Sequence, residues 1–222
     1  METNIRVICF LLCSFFFSMK MESQNTFKHH QINTNLLSLV NFEFSSLTVG
    51  YEFRFEKHFG VEVSYGLILP RGEWWNESDV IDKKSNRGNS IRVEPKFYVL
   101  TFIDERENGG VFISAKFYRT NYDYTSVRLK DINDFDDLAS YNVSRINTGI
   151  ILNIGINGTL KNHLFLEASF GLGNKKSVTE NDYDGHLETL LGIHRPTDIK
   201  YEQNGSLNKI RANLNFKLGV AF

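Results

Sequence analysis

From Ile210 to the last residue the chain alternates without a break. Ile210, Ala212, Leu214, Phe216, Leu218, Val220 and Phe222 are apolar, and between them stand Arg211, Asn213, Asn215, Lys217, Gly219 and Ala221. A period of two is the repeat of a β-strand, whose successive side chains leave opposite faces. The pattern therefore demands an apolar environment on one side of the strand and a polar one on the other.

The same grammar recurs upstream. Leu47, Val49, Tyr51, Phe53 and Phe55 alternate with Thr48, Gly50, Glu52, Arg54 and Glu56, and after a tight turn at Lys57-His58 the run Phe59, Val61, Val63, Tyr65, Leu67, Leu69 alternates with Gly60, Glu62, Ser64 and Gly66. Ile91 to Val99, Val111 to Tyr118, Arg145 to Ile156 and Leu164 to Gly173 repeat it, with Pro95 a blemish because it removes a ladder donor. A weaker strand near Ile32 to Val40 brings the count to eight. An even number of strands, 28 Phe and Tyr residues together (19 Phe, 9 Tyr) and only 3 Pro fit an all-β fold, an eight-stranded antiparallel up-and-down transmembrane β-barrel. A mean hydropathy of −0.27 excludes a polytopic helical membrane protein but not a barrel, in which only alternate residues meet lipid.

Connection lengths support the same topology. Lys57-His58, Asp104 to Gly110 and Asn157 to Asn162 are short, whereas Pro70 to Asn89, Asn121 to Asn142 and Asn174 to Asn208 are long. Membrane barrels alternate short periplasmic turns with long external loops in this way.

The N-terminus has the composition of an export signal: Arg6 precedes an apolar run from Val7 to Phe17, too short for a comfortable transmembrane helix. Residues 1–23 are expected to be a signal peptide, cleaved between Ser23 and Gln24, and residues 24–222 the barrel, located in the cell outer membrane. Both cysteines, Cys9 and Cys13, fall in the signal segment, so no disulfide is expected in the mature chain.

Eight strands also build soluble ligand carriers, and the chemistry of the two faces separates the cases. Here the apolar faces are bulky, and the polar faces mix glycine with long charged side chains. An eight-stranded barrel has room inside only for packed side chains. The interior is thus expected to hold a paired network of Glu52, Arg54, Glu62, Arg92, Glu94, Lys96, Lys116, Arg145, Glu167, Arg211 and Lys217, with Glu56 on the same face, closing the lumen. Phe222, with apolar residues at every second position before it, is expected to be the signal read by the outer-membrane assembly machinery.

Several segments resemble a known group of small outer-membrane barrels of unknown function, common in Bacteroidota and of OmpA/OmpX-like architecture. They are Asn33-Thr34-Asn35-Leu36-Leu37, the run Gly50 to Ser64, Glu94-Pro95-Lys96-Phe97-Tyr98, and Asn162 to Ala168 followed by Gly171 and Gly173. The resemblance implies a fold and a location, and carries over no catalytic or binding residue. The three long loops show nothing similar.

Remaining constellations read more simply as surface. Trp74 and Trp75 fit an interfacial aromatic girdle better than a recognition patch. Asp131, Asp134, Asp136 and Asp137 fit a solvated loop better than cation bridges to lipopolysaccharide. Asp182-Tyr183-Asp184-Gly185 is similar to part of a calcium loop, but counting from Glu180 places Leu191 where the closing glutamate belongs. His186 and His194, with Asp182, Asp184 and Asp198 near in sequence, lack a serine in a nucleophile setting, so a lipid-modifying enzyme is the alternative rather than the expectation. A narrow pore is the other alternative. A net charge of −1 and the lack of a basic stripe argue against nucleic acid. The expected protein is a non-enzymatic monomer without cofactor or metal. Its partners are the lipid bilayer, lipopolysaccharide and a surface partner met through the long loops.

Overall fold

The computed structural model describes residues 29–39, 45–69, 81–103, 108–131, 134–160, 163–183 and 204–222. The expected signal segment, Trp74, Trp75, Asp184, Gly185, His186, His194 and Asp198 lie outside them. The described residues form eight antiparallel strands: β1 (His30–Asn35), β2 (Ser46–Arg54), β3 (Phe59–Ile68), β4 (Ile81–Ile103), β5 (Asn108–Asp131), β6 (Asp134–Leu160), β7 (Leu164–Asn181) and β8 (Gly205–Ala221). Each strand pairs with its neighbours in sequence and β8 pairs with β1, closing an up-and-down barrel.

The β2–β3 hairpin shows why the alternation fixes the register. Glu56 and Phe59 exchange backbone hydrogen bonds at 3.3 and 3.4 Å, leaving Lys57 and His58 as the two-residue turn. Glu52 then stands opposite Glu62, and Tyr51 opposite Val63. A slip of one residue would carry every charge to the outside. Pro95 is absorbed in β4 without a register shift, while a bulge lies between Tyr98 and Leu100, where Val99 and Leu100 both face outward.

Two expectations require correction. The first strand ends at Asn35 rather than Val40, because the Asn35 side chain accepts from Leu37 N and caps a 3-10 turn over Leu36–Ser38. The Ser38 hydroxyl donates to the carbonyls of Asn35 and Ser46, tying that turn to the start of β2. Much of the three long segments expected as loops is also strand. β5 and β6 continue as one hairpin, with register kept from Gly109↔Gly158 to Leu129↔Leu138 and then Asp131↔Asp134. Of the four aspartates placed in a loop, all lie on these two strands.

The inside of the barrel is polar along its lower half, the end at which His30 and Phe222 lie. Glu52, Arg54, Glu62, Glu94, Lys96, Lys116, Glu167 and Lys217 are buried there, while Leu152 and Ile154 on the outer face are 67% and 58% exposed. Interior glycines leave the space for these long side chains. A Cβ on Gly50 would come within 2.6 Å of Asn33 Oδ1 and 3.0 Å of Glu62 Oε1, and one on Gly60 within 3.2 Å of Arg54 Cγ.

Candidate functional site

At the centre of the lower lumen lies a packed cluster of carboxylates and ammonium groups. Lys96, carried by β4, has three N–H donors, and each meets a different carboxylate: Glu52 Oε2 at 2.5 Å, Glu62 Oε2 at 2.8 Å and Glu167 Oε2 at 2.6 Å. Lys217 enters from β8 and lies 2.6 Å from Glu62 Oε2, 2.7 Å from Glu167 Oε1 and 3.6 Å from Glu94 Oε2. Lys116 reaches Glu94 at 3.4 Å. Five strands, β2, β3, β4, β7 and β8, therefore converge on two ammonium groups.

Neutral donors complete the cluster. Tyr98 O–H donates to Glu52 Oε1 at 2.5 Å, and Asn157 Nδ2 donates to the Tyr98 hydroxyl at 2.8 Å. Ser114 and Asn153 both donate to Glu94 Oε1, at 2.6 and 2.9 Å. The Arg54 guanidinium lies 3.5 Å over the Tyr98 ring, and the Lys96 ammonium 4.9 Å from the Phe112 centroid. Buried charges are retained only with such partners.

Glu52, Glu62 and Glu167 have carboxylate oxygens within 4.8 Å of one another, the spacing of a metal centre. Their shared focus is filled by the Lys96 ammonium, so the chain supplies its own tethered cation. Chemically the arrangement cross-links strands from different sides of the barrel and places buried side chains across its lower interior.

The residues expected inside distribute over three levels. Glu52, Arg54, Glu62, Glu94, Lys96, Lys116, Glu167 and Lys217 belong to this plug. Arg92 and Arg211 are half-buried above it, in the direction of the long hairpin. Arg145 lies higher still and donates to Thr179 Oγ1 at 3.1 Å and to the hydroxyls of Tyr122 and Tyr124 at 3.1 and 3.4 Å. Glu56 is the exception: β2 ends at Arg54, and Glu56 is exposed in the turn. Tyr98, Ser114, Asn153 and Asn157 were not expected in the cluster. Each shares the face parity of the charged residues on its own strand, which is the signal that finds them.

Phe222 pairs with His30 through two backbone hydrogen bonds, 2.9 and 3.2 Å, and its ring stacks on His30 at 5.8 Å. It sits at the β8–β1 seam within an aromatic group in which Phe53, Phe55, Phe59 and Phe97 follow one another at 5.0–6.5 Å. Asp182, the first residue of the calcium-loop-like run, accepts from Asn142 N at 2.6 Å and Asn142 Nδ2 at 2.8 Å. These bonds hold its carboxyl below the usual range.

The model of a family described as "Protein of unknown function (DUF3575)" matches residues 7–190. No curated protein and no solved structure matches the chain.

Proposed function

The chain belongs to this family of proteins of unknown function, which leaves its role to be read from its own residues, and we propose that it is a non-enzymatic outer-membrane barrel. Its lumen is closed by the ion-pair plug, and its long hairpins stand outside the cell and meet a surface partner. The resemblance to small outer-membrane barrels of Bacteroidota agrees with this reading.

The observation that carries it is a change of chemistry along single, unbroken strands. In the lower part of β6, Ile150, Leu152, Ile154 and Ile156 are exposed on the outer face, and Asn153 and Asn157 are buried inside. In its upper part, Ala139, Tyr141 and Val143 are buried inside, and Ser140, Asn142 and Ser144 are exposed. β5 behaves alike: Ile113 and Phe117 face out over Ser114 and Lys116, then Tyr122 and Tyr124 turn in beneath an exposed Asp123. The parity never changes; only the residue chemistry does. A strand surrounded by water throughout would keep its apolar face inside along its whole length. The inversion is what a strand needs when it leaves lipid and enters water. From Ile150 to Leu160 the apolar belt covers ten residue steps of strand, about 25 Å of membrane normal at a usual barrel tilt.

Epitope tags test the topology. A tag inserted between Asp131 and Asp134 is expected to be labelled on intact cells, and one at Lys57-His58 only after the outer membrane is opened. Labelling at Lys57-His58 on intact cells, or labelling of neither until the inner compartments are opened, would overturn the proposal.

A further inference from the structure

Above the plug the lumen contains a cavity of about 50 Å³, lined by Arg92, Lys116 and Arg211 together with Thr120, Asn213 and Asn215. Arg92 and Arg211 act on each other as like charges, and among the described residues neither has a carboxylate at ion-pair distance. Arg211 rests over the Tyr118 ring at 5.1 Å. The nearest carboxylate to Lys116 is Glu94, at 3.4 Å, and Glu94 also serves Lys217. Glu62 and Glu94 act on Arg92 from below, but the plug already engages both. A buried amide donor adds to this: among the described residues Asn213 Nδ2 meets no acceptor. The Asn215 side chain is spent on Ser169 and Asn35.

Among the described residues the cavity is thus lined by three cations, of which Lys116 alone has a carboxylate partner, and by an N–H group without an acceptor, and no carboxylate lines it. Buried N–H groups and like charges in close company are retained in folded proteins when something answers them. The volume holds a few waters or one halide-sized ion, and it is too small for a nucleotide or a sugar phosphate. We infer that the lumen binds one small monovalent anion, held by Arg92, Lys116 and Arg211 and by the amide N–H of Asn213. This does not depend on the membrane reading, because the lumen lies inside the barrel whichever medium surrounds it.

Bromide is the probe. The full chain, folded in detergent micelles, is compared in sodium bromide and in sodium gluconate at equal ionic strength, gluconate being too large to enter. The unfolding midpoint is expected about 3 °C higher in bromide, and crystals grown in bromide should show an anomalous peak within hydrogen-bond reach of Arg92 and Arg211. Asn213→Asp places a tethered carboxylate in the same cavity. That variant should be at least as stable as the parent in gluconate and should no longer respond to bromide. Water alone in the cavity of the bromide crystals would overturn the inference. So would a bromide response that persists unchanged in Asn213→Asp, which marks a general salt effect.

Discussion

Lys96 shows how much a single side chain carries in this lumen. Its ammonium answers three glutamates that are otherwise neighbours of like charge. Lys96→Met keeps the length and apolar stem but leaves Glu52, Glu62 and Glu167 facing one another around a lost cation. Breaking a buried ion pair on one side costs about 3–5 kcal/mol, so urea unfolding in detergent should show a loss of that order; an unchanged midpoint would mean that the cluster is not dry. Asp182 is a smaller and separable case at the upper end of β7. Its folded carboxyl titrates below the usual range because Asn142 donates to both oxygens. A group with a depressed folded pKa contributes stability above its unfolded pKa and loses it as pH falls through the folded value. Protection of the Asn142 amide, its exchange rate relative to the intrinsic rate at each pH, should therefore hold through the ordinary carboxylate range and fall only below it. In Asp182→Ala, which removes both acceptor oxygens, that protection should be low at every pH.

At the scale of strands, the lower barrel was legible and the upper hairpins were not, for one physical reason. The alternation of Leu152, Ile154 and Ile156 with Asn153 and Gly155 announces a strand with one apolar face. Tyr122, Tyr124 and Tyr141 follow the same period, but their partners Asp123, Ser140 and Asn142 make the stretch polar enough to pass for a loop. The upper strands carry only a small inward cluster, Ile68, Tyr122, Tyr124, Ala139, Tyr141 and Val143 with Tyr183 against it. The charged residues of the plug were legible from parity alone. Which carboxylate meets which ammonium was not, because that depends on the stagger between distant strands, which no local pattern encodes. Tyr141→Ser removes a buried ring that packs 5.2 Å from Tyr183. Proteases should then cut the β5–β6 hairpin faster while the lower barrel stays protected. Equal resistance in variant and parent would show that the cluster does not hold the hairpin.

The described strands form a closed ring with a filled centre. Eight strands leave an interior that side chains can fill, and here Tyr98, Phe112 and Phe165, all wholly buried, pack it further. In a planar bilayer the protein is expected to give no steady conductance, and long-lived openings would contradict a plugged lumen. On the proposed membrane reading, lipid surrounds the lower barrel and water the upper hairpins, and spin labels placed one at a time along β6 test this most directly. With the protein in lipid vesicles, nitroxides at 150, 152, 154 and 156 should be accessible to oxygen and shielded from a water-soluble nickel relaxant, and those at 140, 142 and 144 should show the reverse. If the relaxant reaches 152 and 154 as readily as 140 and 142, the outer face of this barrel is wet and the membrane reading is wrong.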